Sequence, residues 1–63
     1  MKEKKLSNSA KRMIKKYGEA KCTEANNLYD DGIMGASGVA WHMDVHVNTA
    51  SGLISAGEEI KNL

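Results

Sequence analysis

The stretch GVAWHMDVHVNT, Gly38 to Thr49, decides the fold. Every second residue from Val39 to Val47 is apolar (Val39, Trp41, Met43, Val45, Val47), which is the alternation of a half-buried strand. His42 and His46, however, stand four apart, a spacing that places both imidazoles on one face of a helix. A strand needs a partner, and the flanks GIMGASG (32–38) and TASGLISAG (49–57) offer Gly and Ser rather than a second alternating run. A strand over residues 39–47 therefore requires pairing across a dimer, and this is the α+β alternative.

The helical reading accounts for more residues. Ile33, Ala36, Ala40, Met43, Val47, Ala50, Ile54 and Gly57 follow a three-and-four alternation, and Val39, His46, Leu53 and Ile60 widen the same face. This predicts one helix over about residues 33–61. It leaves Trp41 and Val45 on the far side and puts Gly35, Gly38 and Gly52 inside a helix, where glycine is unfavourable.

Upstream, Ser7 or Ser9 can cap a first helix whose apolar face runs through Leu6, Ala10, Met13, Ile14, Tyr17 and Ala20 and continues in Ala25, Leu28 and Tyr29. The prediction is a helix over about residues 8–29, bent at Gly18, because glycine costs about 1 kcal/mol against alanine in a helix interior. YDDG (29–32) ends it: two aspartates oppose the negative end of the helix, and Gly32 can take the left-handed conformation of a C-cap. Two long helices on a short connection make an all-α antiparallel hairpin.

Sixty-three residues form one small domain, and a chain of this length buries only about 60% of its unfolded surface. Cys22 is the sole cysteine and cannot form an internal bridge. Self-association is the remaining way to enlarge the core, so the hairpin is expected to dimerise into a four-helix bundle. Its seam is predicted at Ile33, Ala36, Ala40, Met43, Val47, Ala50 and Ile54. The window Gly32–Gly57 carries one formal charge, Asp44, but its His, Asn, Thr and Ser make it too polar to span a membrane. MKEKKLSNSA lacks the apolar core of a secretory signal, and a lone thiol fits a reducing compartment, so a cytoplasmic location is the expectation.

Net charge is +1 but unevenly spread. Residues 1–21 hold eight of the nine Lys and Arg against two Glu, while the remainder holds six acids against Lys61. In an antiparallel hairpin Lys4, Lys5 and Arg12 would face Glu58 and Glu59. Any of the basic strip left unneutralised at Lys11, Arg12, Lys15 and Lys16 would be a contact surface for an acidic macromolecule, nucleic acid included.

Few residues carry chemistry. His42 and His46 with Cys22 form a conceivable metal set, but there is no CxxC and no His-Glu-x-x-His pattern, so structural roles are expected and no metal or cofactor is predicted. If they lie at a symmetric interface, the two histidines would make the dimer pH-sensitive. Cys22 follows Lys21 but has no base beside it in sequence, and GASG (35–38) lacks the lysine of a phosphate loop. The functional expectation is a non-enzymatic protein that binds a larger protein partner stoichiometrically, an inhibitor or adaptor of the size that phages and mobile elements produce. The contact surface is predicted at Trp41, Val45 and His42 together with Lys11, Arg12, Lys15 and Lys16. The alternative is a small dimeric nucleic-acid-binding regulator using the basic first helix.

Overall fold

A computed structural model describes residues 6–63, which fold as four α-helices: α1 Asn8–Tyr17, α2 Glu19–Asp30, α3 Ala36–Met43 and α4 Val47–Lys61. The fold is all-α. No strand occurs among the described residues, so the alternative of a strand at 39–47 is set aside.

The first predicted helix is realised as α1 and α2, divided at Gly18. Ser7 caps α1, its Oγ accepting from the Ala10 N–H at 3.1 Å. The break comes from backbone conformation: Gly18 sits at φ 98°, a region an L side chain rarely enters. Its N–H still donates to the Ile14 carbonyl (2.8 Å), and its own carbonyl accepts from the Cys22 N–H (3.2 Å), so the chain bends without losing both hydrogen-bond ladders.

The second predicted helix, 33–61, is not continuous. It starts later, at Ala36, and is interrupted between Met43 and Val47. Asp44 takes a left-handed conformation (φ 60°, ψ 48°), and the Val45 N–H reaches back to the Ala40 carbonyl at 2.9 Å. This is the six-to-one closure that ends many helices, here with aspartate in the place glycine usually occupies. His46 then caps α4, with Nδ1 accepting from the Asn48 N–H at 3.1 Å. The apparent strand alternation is thus a composite: Val39 is buried in α3, Val45 lies in the connection, and Val47 opens α4.

Helix α4 packs against α1, α2 and α3, whereas α1 and α3 do not meet. The core is built largely of small side chains: Ala10, Ala25, Ala40, Ala50 and Ala56 around Val39, Leu53, Ile54 and Cys22. Small residues let helix axes approach closely, and the approach is tightest at Gly57. A Cβ there would overlap the Cys22 carbonyl oxygen and lie 2.6 Å from the Asn26 Cβ. Buried Asn26 spans the same seam, donating from Nδ2 to the Ile54 carbonyl at 3.2 Å.

Two polar ties hold the C-terminal end of α4. The Glu59 carboxylate accepts from both the N–H and the hydroxyl of Ser7, each at 2.7 Å, joining the end of α4 to the start of α1. Lys61 pairs with Asp30 at 2.8 Å. Glu59 therefore has a partner other than the basic residues expected to face it; Lys4 and Lys5 lie outside the described residues, and Arg12 forms no ion pair among those described. No described helix is long and apolar enough to cross a membrane.

Candidate binding surfaces

Helix α3 buries Val39 and Ala40, so the next residue, Trp41, is turned outward by the 100° step of the helix. Trp41 is 86% exposed, the most exposed of the large hydrophobic side chains. Its predicted companions do not both join it. Val45, expected on the same far side, packs against the core, because the left-handed turn at Asp44 redirects the chain just before it. His42 remains at the surface, where its Nε2 lies 3.4 Å from a Glu24 carboxylate oxygen and links α3 to α2.

The basic strip is a second surface. Lys11, Arg12, Lys15 and Lys16 are all exposed and lie opposite the face formed by Ala10, Met13, Ile14 and Tyr17. At 3.6 residues per turn the four cations cover an arc of about 140° and a length of about 7.5 Å. None forms an ion pair among the described residues. Lys16 Nζ stands 5.5 Å from the centre of the Tyr17 ring, a cation–π distance. The strip and the Trp41 patch lie on helices that do not touch each other.

The predicted seam is also divided. Ala40, Ala50 and Ile54 are spent in the core of the single chain; Ile33 and Val47 are exposed, and Ala36 and Met43 are half-buried. Ile54 retains an edge on a cleft of about 260 Å³ that it lines with Ser51, Ser55 and Glu58 of α4, Tyr29 of α2 and Ala36 of α3. Tyr29 and Glu58 also line an adjoining cleft of about 350 Å³ with Asn26, Asp30, Lys61 and Asn62. Sequence reading missed this groove, because it is framed by three helices whose relative placement no local pattern encodes. A larger hollow of about 690 Å³ follows the outer side of α2, but every residue lining it belongs to that helix or, at Asp31, to its C-cap, so no second element contributes groups to it.

The candidate chemical groups lie apart. Cys22 is fully buried; burial pushes its thiol pKa up, and the nearby Glu19 charge adds to the rise, so the reactive thiolate is disfavoured. His42 is engaged with Glu24, and His46 spends Nδ1 on the α4 cap. Among the described residues no three His, Cys, Asp or Glu side chains are grouped so as to hold a metal ion. Asn26 Oδ1 is buried without a hydrogen-bond partner among the described residues. Comparison with family models, with curated proteins and with solved structures gives no match to this chain.

Proposed function

We propose that this protein acts without catalysis, as a homodimer that binds a larger protein partner stoichiometrically, in the manner of a small inhibitor or adaptor. The observation that carries the reading is the 86% exposure of Trp41 on a helix whose other large hydrophobic residues, Val39 and Met43, are buried or half-buried. Tryptophan is among the residues that dominate interface energetics, and it removes a large apolar area from water when a partner covers it. Helix α3 is anchored through Val39 and Ala40 and closed by its left-handed cap, so Trp41 is presented on a fixed support and little ordering entropy remains to be lost on binding. The test is affinity capture from the host lysate with wild type and Trp41→Ala, quantified by mass spectrometry. A protein retained in stoichiometric amount by wild type and lost with the variant, whose circular dichroism is unchanged, supports the reading. Capture indifferent to Trp41 defeats it.

A second reading is favoured by the four exposed cations of α1, which form no ion pair among the described residues and suit the phosphate backbone of a nucleic acid. Four phosphate contacts predict a log–log salt slope near −3.6, so raising salt from 50 to 200 mM would weaken binding about 150-fold. No mobility shift at low salt, or a shift retained when Lys11, Arg12, Lys15 and Lys16 are all alanine, removes this reading.

A further inference from the structure

We infer that the chain pairs with a second copy of itself through the outer face of α4, the two helices antiparallel, so that each Glu58 lies beside the other copy's α4 N-terminus. The inference rests on the homodimer reading above and specifies its surface.

Val47, Ser51, Ile54, Ser55 and Glu58 recur at the spacing of one helical face, and four of the five line the cleft walled by Tyr29 and Ala36. Exposed large hydrophobic residues gather around it. Tyr29 (49% exposed) forms its wall, and Val47 (38%) lies at the opposite end of the α4 face from Glu58. Ser51, Ser55 and Ala36 are small, so a second helix can approach at the close end of the usual 8–10 Å interaxial range. The face carries no lysine or arginine, and its single charge is Glu58.

That charge selects the occupant and its direction. Glu58 lies in the last turn of its own helix, where the partial negative charge of the helix end opposes it, and it forms no ion pair among the described residues. In an antiparallel pair centred between Ser51 and Ile54, position 58 of one copy is level with position 47 of the other. The carboxylate then meets the first turn of the second α4, which carries no acidic residue, and His46, which caps it. A parallel pair would instead set Glu58 against Glu58. The antiparallel arrangement is two-fold symmetric, so the favourable contact is made twice, as an isologous interface requires.

Sedimentation equilibrium from micromolar to millimolar concentration tests this with wild type, Ser51→Arg and Glu58→Lys. Wild type is expected at dimer mass, Ser51→Arg to dissociate at least tenfold more readily with unchanged helical content, and Glu58→Lys to weaken the dimer most at low salt. If Ser51→Arg loses helix, Ser51→Cys replaces it: Cys22 is buried, so a disulfide-linked dimer that forms on air oxidation reports the α4 face directly. A wild type that stays monomeric throughout overturns both the inference and the homodimer reading. A dimer untouched by both face variants, or a Ser51→Cys chain that does not cross-link, overturns the α4 face alone.

Discussion

Replacing Gly57 with alanine tests the packing of α2 on α4 where it is tightest. Helix propensity favours the substitution by about 1 kcal/mol at an interior position. Against that gain, the new methyl would overlap the Cys22 carbonyl oxygen and approach the Asn26 Cβ to 2.6 Å. Neither obstacle is the far end of a flexible side chain, so α2 and α4 must separate. Overpacking of this kind costs about 1–3 kcal/mol, and separation also stretches the Asn26 Nδ2 to Ile54 carbonyl hydrogen bond, worth about 1 kcal/mol. The net expectation is a loss of about 1–3 kcal/mol. A domain of this size holds only roughly 3–9 kcal/mol in total, so the loss is a large share. Gly52→Ala is the matched comparison on the same helix: its methyl would meet the Met13 Cε, the mobile end of a thioether chain that can turn aside. There the propensity gain of up to about 1 kcal/mol should survive. At about 4–8 °C per kcal/mol for a small domain, Gly57→Ala should lower the Tm by about 10 °C and Gly52→Ala raise it by several degrees. Urea and thermal denaturation followed by circular dichroism measure both. Gly57→Ala at or above wild-type stability, or Gly52→Ala as the more damaging of the two, would refute the close-approach account.

Three further outcomes follow from single groups. Hydrogen bonds from the Ser7 N–H and then the Ser7 hydroxyl hold the Glu59 carboxyl below its usual 4.5, so its contribution to stability is present above that value and lost as pH falls through the folded-state value; urea midpoints of wild type and Glu59→Gln should differ at neutral pH and converge in acid, and a gap that persists in acid would count against the α1–α4 tie. Cys22, fully buried and with its thiol pKa pushed up, should resist a thiol reagent at the rate set by unfolding, so modification at the speed of a free peptide thiol would contradict its placement. Trp41→Ala should change stability by no more than about 0.5 kcal/mol, and iodide should quench native Trp41 fluorescence almost as efficiently as that of the unfolded chain; strong protection in dilute monomer would remove the exposed anchor.

The all-helical class and the bend at Gly18 were legible because they rest on local rules: the three-and-four spacing of Ala10, Met13, Ile14 and Tyr17, and glycine's cost in a helix. The division of the second half was not. Its decisive residue, Asp44, adopts φ 60°, a conformation aspartate tolerates better than most residues but does not announce. Ala40 and Met43 on α3 and Ala50 and Ile54 on α4 all turn toward the core, so the stripe ran on across the break: periodicity reports burial, and two helices packed on one core can keep it in phase. The fate of Val45 follows from the same turn, since a continuous helix would have left it beside Trp41. Among the described residues, Arg12 does not pair with the acidic end of α4, for another reason. Glu59 is held by the N–H and hydroxyl of Ser7, a pairing between residues 52 apart that no sequence window contains.

The position of α4 accounts for three exposed patches on so short a chain, one on α1, one on α3 and one on α4 itself. It touches every other helix and contributes Ala50, Leu53, Ile54, Ala56 and Gly57 to the interior, while α1 and α3 lie against it without meeting. Lys11, Arg12, Lys15 and Lys16 on α1, Trp41 on α3 and Ser51 on the outer face of α4 all project away from that interior, so their substitutions leave the packed seams intact. Substitutions at sites that share no partner combine additively to within about 0.5 kcal/mol. Losses from Trp41→Ala and from the four-alanine α1 variant should therefore add where one macromolecule covers both surfaces, and only one of the two variants should register where it covers one. Trp41 does not line the α4 cleft, so dimerisation through that face would present the anchor twice. A partner able to engage the two together would gain effective concentration without any new contact, and Ser51→Arg would then weaken its capture while leaving the affinity of each Trp41 site unchanged.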